Sequence, residues 1–274
     1  MRVLFKTGST ITDITRKVEK LKTDSYSMSY SIGDAIYIGQ DFPFNHFYLK
    51  MGTVKNAVTA AMTVQYYGQS GFTDSVNLMD DTLAIFNSGF VEFTPNRQSS
   101  WQKKSTNDNN ETISELSSVY IYDLYWIKIT FNQNLTPAIN VNWIGQKFSD
   151  DYDLYSEYPI FNDADTMSVY EAGKTDWEEQ HATSAELIVK DLKGKGIIFS
   201  KEQILERDQF KLASVSKTAQ IIYTSFGKDY LDRVEQSKKE YSERINIALP
   251  KVDLNNNAIL DLKEKNNQVG WGTR

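Results

Sequence analysis

Along the first half of the chain, apolar and polar residues alternate in short runs, the period-two signature of half-buried strands. Tyr37-Ile38, Phe47-Tyr48-Leu49, Met62 to Tyr67, Phe90 to Phe93, Tyr125 to Phe131 and Ile139 to Ile144 are rich in β-branched and aromatic residues, and Gly, Asn, Asp and Ser clusters separate them. Alternation is clearest in Ile139-Asn140-Val141-Asn142-Trp143. Within Trp126 to Phe131, Ile127, Ile129 and Phe131 share one face while Trp126, Lys128 and Thr130 share the other. Strands without an intervening helix predict an antiparallel β-sandwich over residues 26–148, preceded by an N-terminal arm or first strand over residues 1–25.

From Thr175 the period becomes helical. Thr175-Asp176-Trp177-Glu178 reads as a capping box opening a helix that runs to about Lys193 and stops at Gly194-Lys195-Gly196. Ser200-Lys201-Glu202-Gln203 is a second box, expected to open a long helix with Ile204, Leu205, Leu212, Val215, Ala219, Ile222 and Phe226 on its apolar stripe and Gly227 as its stop. A third helix carries Tyr230, Leu231, Val234, Tyr241 and Ile245 before Pro250. The expected fold class is α+β in two domains: an antiparallel β-sandwich, a three-helix module over residues 175–249, and an extended C-terminal tail over residues 250–274.

Charge changes the picture between the two halves. Asp150 to Glu179 carries ten acidic side chains against Lys174 alone, so this stretch holds more negative charge than the net −6 of all 274 residues. It reads as an acidic linker over residues 149–174, or as a docking surface for a basic partner. The acidic balance argues against general nucleic-acid binding. No apolar run approaches the roughly 20 residues needed to span a bilayer, and no signal-peptide core is present, so folding in the cytoplasm is expected.

Candidate chemistry is sparse. With no Cys and only His46 and His181, thiolate zinc sites and multi-histidine metal sites are excluded, and a Ser/His/Asp triad has two possible bases. No phosphate loop, nucleophile elbow or zincin motif appears, so no enzymatic activity is expected. His181, among Glu178, Glu179 and Gln180, reads as a surface residue, and His46 as a structural one beside a strand. Lys103-Lys104 followed by Ser105 to Asn110 reads as a flexible loop tip. Tyr66, Tyr67, Trp101, Tyr120, Tyr122, Tyr125, Trp126 and Trp143 are expected to pack sheets; a sugar-stacking platform is the alternative.

One pattern has metal-ligand spacing. Counted from Asp253, oxygen donors fall at positions 1, 3, 5, 9 and 12 (Asp253, Asn255, Asn257, Asp261 and Glu264), with the carbonyl of Ile259 at position 7, as in an EF-hand calcium loop. Ala258 takes the position where Gly normally permits the turn, and two positions carry neutral amides, so calcium is expected to bind weakly or not at all. The alternative is an Asn-stabilised turn without an ion, and no other cofactor is expected.

Two stretches carry a family resemblance. Asp34-Ala35-Ile36-Tyr37-Ile38-Gly39, Pro43-Phe44, Phe47-Tyr48, Val64-Gln65-Tyr66-Tyr67, Ser88-Gly89-Phe90-Val91, Trp101 and Tyr125-Trp126-Ile127-Lys128 look like the β-sandwich of tailed-bacteriophage structural proteins. The helical stretch from Glu186-Leu187 through Arg244, followed by the Asp253 to Glu264 tail, resembles head-to-tail adaptor proteins. The resemblance implies a virion protein of the neck, assembled in the host cytoplasm. It would form a homo-oligomeric ring of twelve copies beneath the portal protein and meet tail or further neck proteins, without sequence-specific nucleic-acid binding or a membrane. A tail, baseplate or fibre-attachment component is the alternative in the same class, and a glycan-binding module the alternative outside it. Val269, Trp271 and Arg274 are the candidate partner-binding residues, because a glycine-flanked Trp beyond the last helix suits a partner's pocket.

Overall fold

The computed structural model describes residues 1–21, 25–96, 100–108, 111–248, 253, 258 and 259. The chain is α+β and divides into two compact units, Met1–Gly145 with Asp253–Ile259, and Gln146–Val252 with Leu260–Arg274.

The first unit contains β1 (Arg2–Thr7), β2 (Thr10–Asp13), α1 (Thr15–Val18), β3 (Tyr26–Tyr30), β4 (Ala35–Gln40), β5 (His46–Met51), β6 (Met62–Gly68), β7 (Gly71–Asp74), β8 (Val76–Asp80) and β9 (Gly89–Thr94). The two-residue strands β10 (Lys103–Lys104), β11 (Asn107–Asp108) and β12 (Glu111–Thr112) follow, then β13 (Leu124–Phe131) and β14 (Leu135–Gly145). One antiparallel sheet runs β2-β1-β4-β13-β6-β7, with β10 also on β13, and a second runs β3-β14-β5-β9-β8. All six expected strand runs lie inside these strands. The N-terminal residues are a first strand and not an arm, since β1 pairs with both β2 and β4. The start of the polar run after Lys103 is not a flexible tip: β10 pairs with β13, Ser105 and Thr106 are buried, and Thr106 Oγ1 donates to the Val119 carbonyl at 2.6 Å.

Rings join the two sheets. Tyr30 of β3 meets Phe131 of β13 edge to face at 5.0 Å, and its hydroxyl accepts the Phe131 N–H at 2.8 Å. Trp101 lies within 5.4 Å of Phe44, 5.7 Å of Tyr66 and 6.3 Å of Phe93. The opposite face of the larger sheet is covered as well, with Ile113 and Leu116 packed against Tyr37 and Trp126. Two covered faces explain why all six residues of β4 are buried, where one-sided packing would leave alternate residues exposed.

The second unit contains α2 (Asp151–Glu157), α3 (Ala164–Tyr170), α4 (Glu178–Gly194), α5 (Asp208–Ser225) and α6 (Leu231–Ile247). The acidic stretch is therefore no solvated linker. Asp150 and Asp153 form a capping box on α2, Asp163 caps α3 by accepting from Thr166 N–H at 2.9 Å, and Leu154, Phe161 and Met167 are buried with Trp177. Much of its charge is spent at helix N-termini, where orphan N–H groups and the dipole favour carboxylates.

Both expected helix starts shift. Trp177 is the N-cap residue of α4, two residues after Thr175, and Asp176 accepts the Glu178 N–H at 3.2 Å. The Ser200–Gln203 box is present but closes only a 3₁₀ turn (Lys201–Gln203). Ile204 then turns extended, Ile204 and Leu205 are both buried, and α5 begins at Asp208. Gly227 leaves α5 with φ +86°, a conformation glycine adopts without Cβ strain.

A half-buried charge cluster ties the segment after β12 to the larger sheet. Glu115 accepts from the Tyr37 hydroxyl and from Lys128 Nζ at 2.6 Å, and Lys128 Nζ also sits 5.5 Å from the Phe72 ring. Burial pushes the Glu115 carboxyl up, but the bonds from Lys128 and Tyr37 outweigh it and hold the group below the ordinary glutamate range. A depressed carboxyl contributes stability above its unfolded pKa and loses it as pH falls through the folded value. Lys128→Met removes the main lowering contribution and leaves burial, so the variant should be less stable than the parent at neutral pH. The difference should shrink as pH falls through the carboxylate range, measured by fluorescence-detected denaturant unfolding at a series of pH values.

Candidate functional site

The most concentrated polar chemistry lies inside the second unit and is built by the residues that follow β14. Alternate side chains of Lys147-Phe148-Ser149-Asp150-Asp151 reach different partners, as an extended chain allows. Lys147 is fully buried and pairs with Glu178 at the start of α4. Phe148 packs on Phe210 of α5 at 5.5 Å. Ser149 Oγ lies 2.8 Å from His181 Nδ1 and donates to Ser214 Oγ at 2.7 Å. Asp151 accepts the Trp177 N–H at 3.1 Å and stands 3.3 Å from His181 Nε2. Ser184 Oγ donates to the Ser214 carbonyl at 2.9 Å, and Thr218 Oγ1 is 3.4 Å from His181 Nδ1.

Ser149, His181 and Asp151 thus have the composition of a catalytic triad, but Ser149 and His181 are buried. A seryl nucleophile gives its proton to the imidazole. Ser149 Oγ has Ser214 Oγ as a second partner at 2.7 Å, which competes with His181 Nδ1 for its proton. Ser149, His181 and Ser214 are all fully enclosed, leaving no approach for a substrate. What the arrangement does is link α4 to α5 through the buried hydroxyls of Ser149, Ser184 and Ser214, while His181 Nε2, facing Asp151, makes no hydrogen bond of good geometry among the described residues. It also corrects the expectation of a surface His181. His181, Ser184, Ala185, Ile188 and Leu192 are the buried stripe of α4, spaced at three and four, and that spacing was available in the sequence.

The other candidate residues are dispersed. His46 is buried on β5, with Nδ1 3.0 Å from Asn45 Oδ1, a structural placement. Asp253 is buried and its carboxylate accepts the Ala258 N–H at 2.8 Å, while Ala258 itself has φ +58°. The turn expected to need glycine is therefore made by alanine, held by the Asp253 side chain. Ile259 is partly buried; Asn255, Asn257, Asp261, Glu264, Val269, Trp271 and Arg274 lie outside the described residues. Among the described residues, no group of three His, Asp or Glu side chains is placed to hold a metal. Of the eight aromatics considered for sugar stacking, Tyr66, Trp101, Trp126 and Trp143 are buried, and only Tyr120 and Tyr122 are exposed.

Sequence reasoning missed a strained surface turn. Leu83, Ala84 and Ile85 have φ of +52°, +54° and +63°, three successive side-chain-bearing residues in the left-handed region. Each costs about 1–2 kcal/mol there. The turn is over-determined: Asp80 accepts from Thr82 N–H at 2.9 Å and Ala84 N–H at 2.8 Å, Thr82 Oγ1 accepts from Ile85 N–H at 3.0 Å, and Asn56 Nδ2 donates to the Ala84 carbonyl at 3.1 Å. Ala84 and Ile85 are buried, whereas Leu83 is 63% and Phe86 49% exposed. Val76 and Met79 of β8, an edge strand, are exposed beside them in sequence. Strain of this kind persists where surrounding structure enforces it, and here it holds apolar side chains toward solvent.

No protein-family model matches the chain, and no curated protein and no solved structure matches it.

Two outcomes follow from this geometry. Lys147→Met leaves the Glu178 carboxylate buried without its ammonium and should cost about 3–5 kcal/mol, whereas Lys147→Met combined with Glu178→Leu should recover most of that loss, read from denaturant unfolding of the helical circular-dichroism signal. Leu83→Gly removes left-handed strain at an exposed position and should stabilise the first unit by about 0.5–1 kcal/mol, after allowance for the added freedom of the unfolded chain, measured by the fluorescence-detected unfolding midpoint.

Proposed function

We propose that this chain is a virion structural protein of a tailed bacteriophage, a head-to-tail adaptor that works by packing and docking without a catalytic step. On this reading the two antiparallel sheets form a β-sandwich, and α4, α5 and α6 form the adaptor-like helical module that meets the portal protein and neighbouring copies in a ring of twelve. The observation that carries the docking part is the Leu83 turn: folding energy is spent to hold Leu83 and Phe86 in water, a cost that a partner surface would recover. The sealed Ser149–His181–Asp151 cluster supports the same reading, because the side chains best suited to chemistry are used to join helices. The bacteriophage assignment rests on the likeness of the strand and helix stretches described above.

Imaging tests position and stoichiometry together. Reconstruction of virions carrying this protein should place a twelve-fold ring of it between portal and tail, and deletion of Asn267 to Arg274 should yield filled or leaking heads without tails. Density for the protein at the baseplate or on fibres would transfer the assignment to a tail component, and infectious particles with intact tails from the deletion would overturn the adaptor reading.

A further inference from the structure

The second unit carries a two-lobed groove that none of the contacts described so far uses. One lobe, about 340 Å³, is walled by Tyr158, Ile160, Tyr223, Phe226 and Tyr230; the other, about 220 Å³, by Gln236, Ser237, Glu240 and Arg244. Glu157, Tyr158, Tyr223 and Arg233 line both. The aromatic wall is built by the end of α5 and the turn after it: Tyr223 and Tyr230 stack at 6.0 Å with a 19° interplanar angle, and Phe226 lies 5.1 Å from Tyr230. Ile160 and Tyr230 are 57% and 42% exposed, so the apolar lobe stands open.

The charged groups around the groove other than Arg233 are ion-paired or hydrogen-bonded at close range. Glu157 holds Arg244 at 2.8 Å, and Arg244 also donates to Ser216 Oγ at 2.9 Å. Glu240 accepts from the Tyr158 hydroxyl and from Gln236 Nε2 at 2.9 Å. Arg233, at the junction of the lobes, has only the Gln236 side-chain carbonyl at 3.4 Å; among the described residues no carboxylate lies within ion-pair distance of it. A guanidinium with open donors beside an aromatic shelf is complementary to a carboxylate carried next to an aromatic or apolar group. In the neighbouring lobe the Ser237 hydroxyl donates to the Arg233 carbonyl at 2.8 Å and Gln236 bridges Arg233 to Glu240, so the guanidinium is the group left to meet an incoming anion.

We propose that this groove binds a peptide segment of a partner protein in which an aromatic side chain stands beside an acidic residue: the ring lies against Tyr223, Phe226 and Tyr230, and the carboxylate pairs with Arg233. The site lies wholly within the second unit and does not depend on the adaptor reading, so a baseplate or non-viral protein with this fold would carry it too.

Saturation-transfer NMR on the full chain tests it with three probes: acetyl-Trp-Asp-amide, acetyl-Trp-Asn-amide and acetyl-Ala-Asp-amide, each up to about 5 mM. The Trp-Asp peptide should bind, and the other two should bind about fivefold more weakly or worse, the scale of a partly exposed charge-assisted bond. Arg233→Gln should erase the preference for Trp-Asp over Trp-Asn while leaving the Trp-Asn signal unchanged. Tyr230→Ala should weaken both Trp peptides together. Both side chains are exposed, and circular dichroism would verify that the variants keep their helices. No signal for the Trp-Asp peptide, equal binding of the Asp and Asn peptides to the parent, or a preference that survives in Arg233→Gln would each overturn the assignment. Sedimentation of the parent as an oligomer and of Arg233→Gln as a monomer would make the occupant a second copy and overturn the partner-peptide reading.

Discussion

Water is excluded from the Lys147 ammonium, and everything else in the helical unit follows from having to answer that charge. A buried cation needs a carboxylate with good geometry, so Glu178, the first residue of α4, is drawn inward with it. The same extended stretch then sends Ser149 to His181 and Ser214, and Asp151 to the Trp177 N–H. Three residues after the last strand, Lys147, Ser149 and Asp151, thereby fix where α4 begins, how it lies on α5, and where Trp177 sits above Phe161. Apolar packing supplies most of the stabilisation, but it is non-directional. The polar contacts have angles and distances, and they choose one arrangement of the helices among several that would bury similar area.

The first unit solves a different problem. Its sheets close over a ring cluster centred on Trp101, and the larger sheet is covered on its second face by the segment around Ile113 and Leu116. With that much apolar surface enclosed, a locally unfavourable turn at Leu83 to Ile85 can be tolerated, because Asp80, Thr82 and Asn56 saturate its backbone and Ile85 is anchored in the interior. Left-handed residues that are not glycine mark the place where local preference yields to something outside the turn. Leu83 and Phe86, pointing away from the core, are what the conformation displays.

Strands were legible because runs such as Ile139 to Trp143 and Tyr125 to Phe131 combine alternation with β-branched and aromatic side chains. The three long helices were legible from their apolar spacing, although their starts were not: the capping box at Ser200 closes a single turn, and the long helix begins only at Asp208. His181 shows why polarity alone misleads. Read beside Glu178, Glu179 and Gln180 it looks solvated, yet its spacing to Ala185, Ile188 and Leu192 puts it on the buried face. The acidic run misled for the same reason, since carboxylates that cap helices and accept buried N–H groups cannot be told in one dimension from carboxylates left in water.

The amino-acid sequence by itself determined the elements: which segments alternate, which repeat at three and four, and the sparse supply of metal ligands and nucleophiles. These are properties of neighbours along the chain, set by side-chain direction and local hydrogen bonding. Only the tertiary structure decided which polar groups are inside, which helix each one joins, that β4 is covered on both faces, and that the Leu83 turn and the Arg233 groove exist. Desolvation, ion pairing and enforced strain depend on residues far apart in sequence, such as Lys147 with Glu178 or Asn56 with Ala84, and no local pattern carries that information.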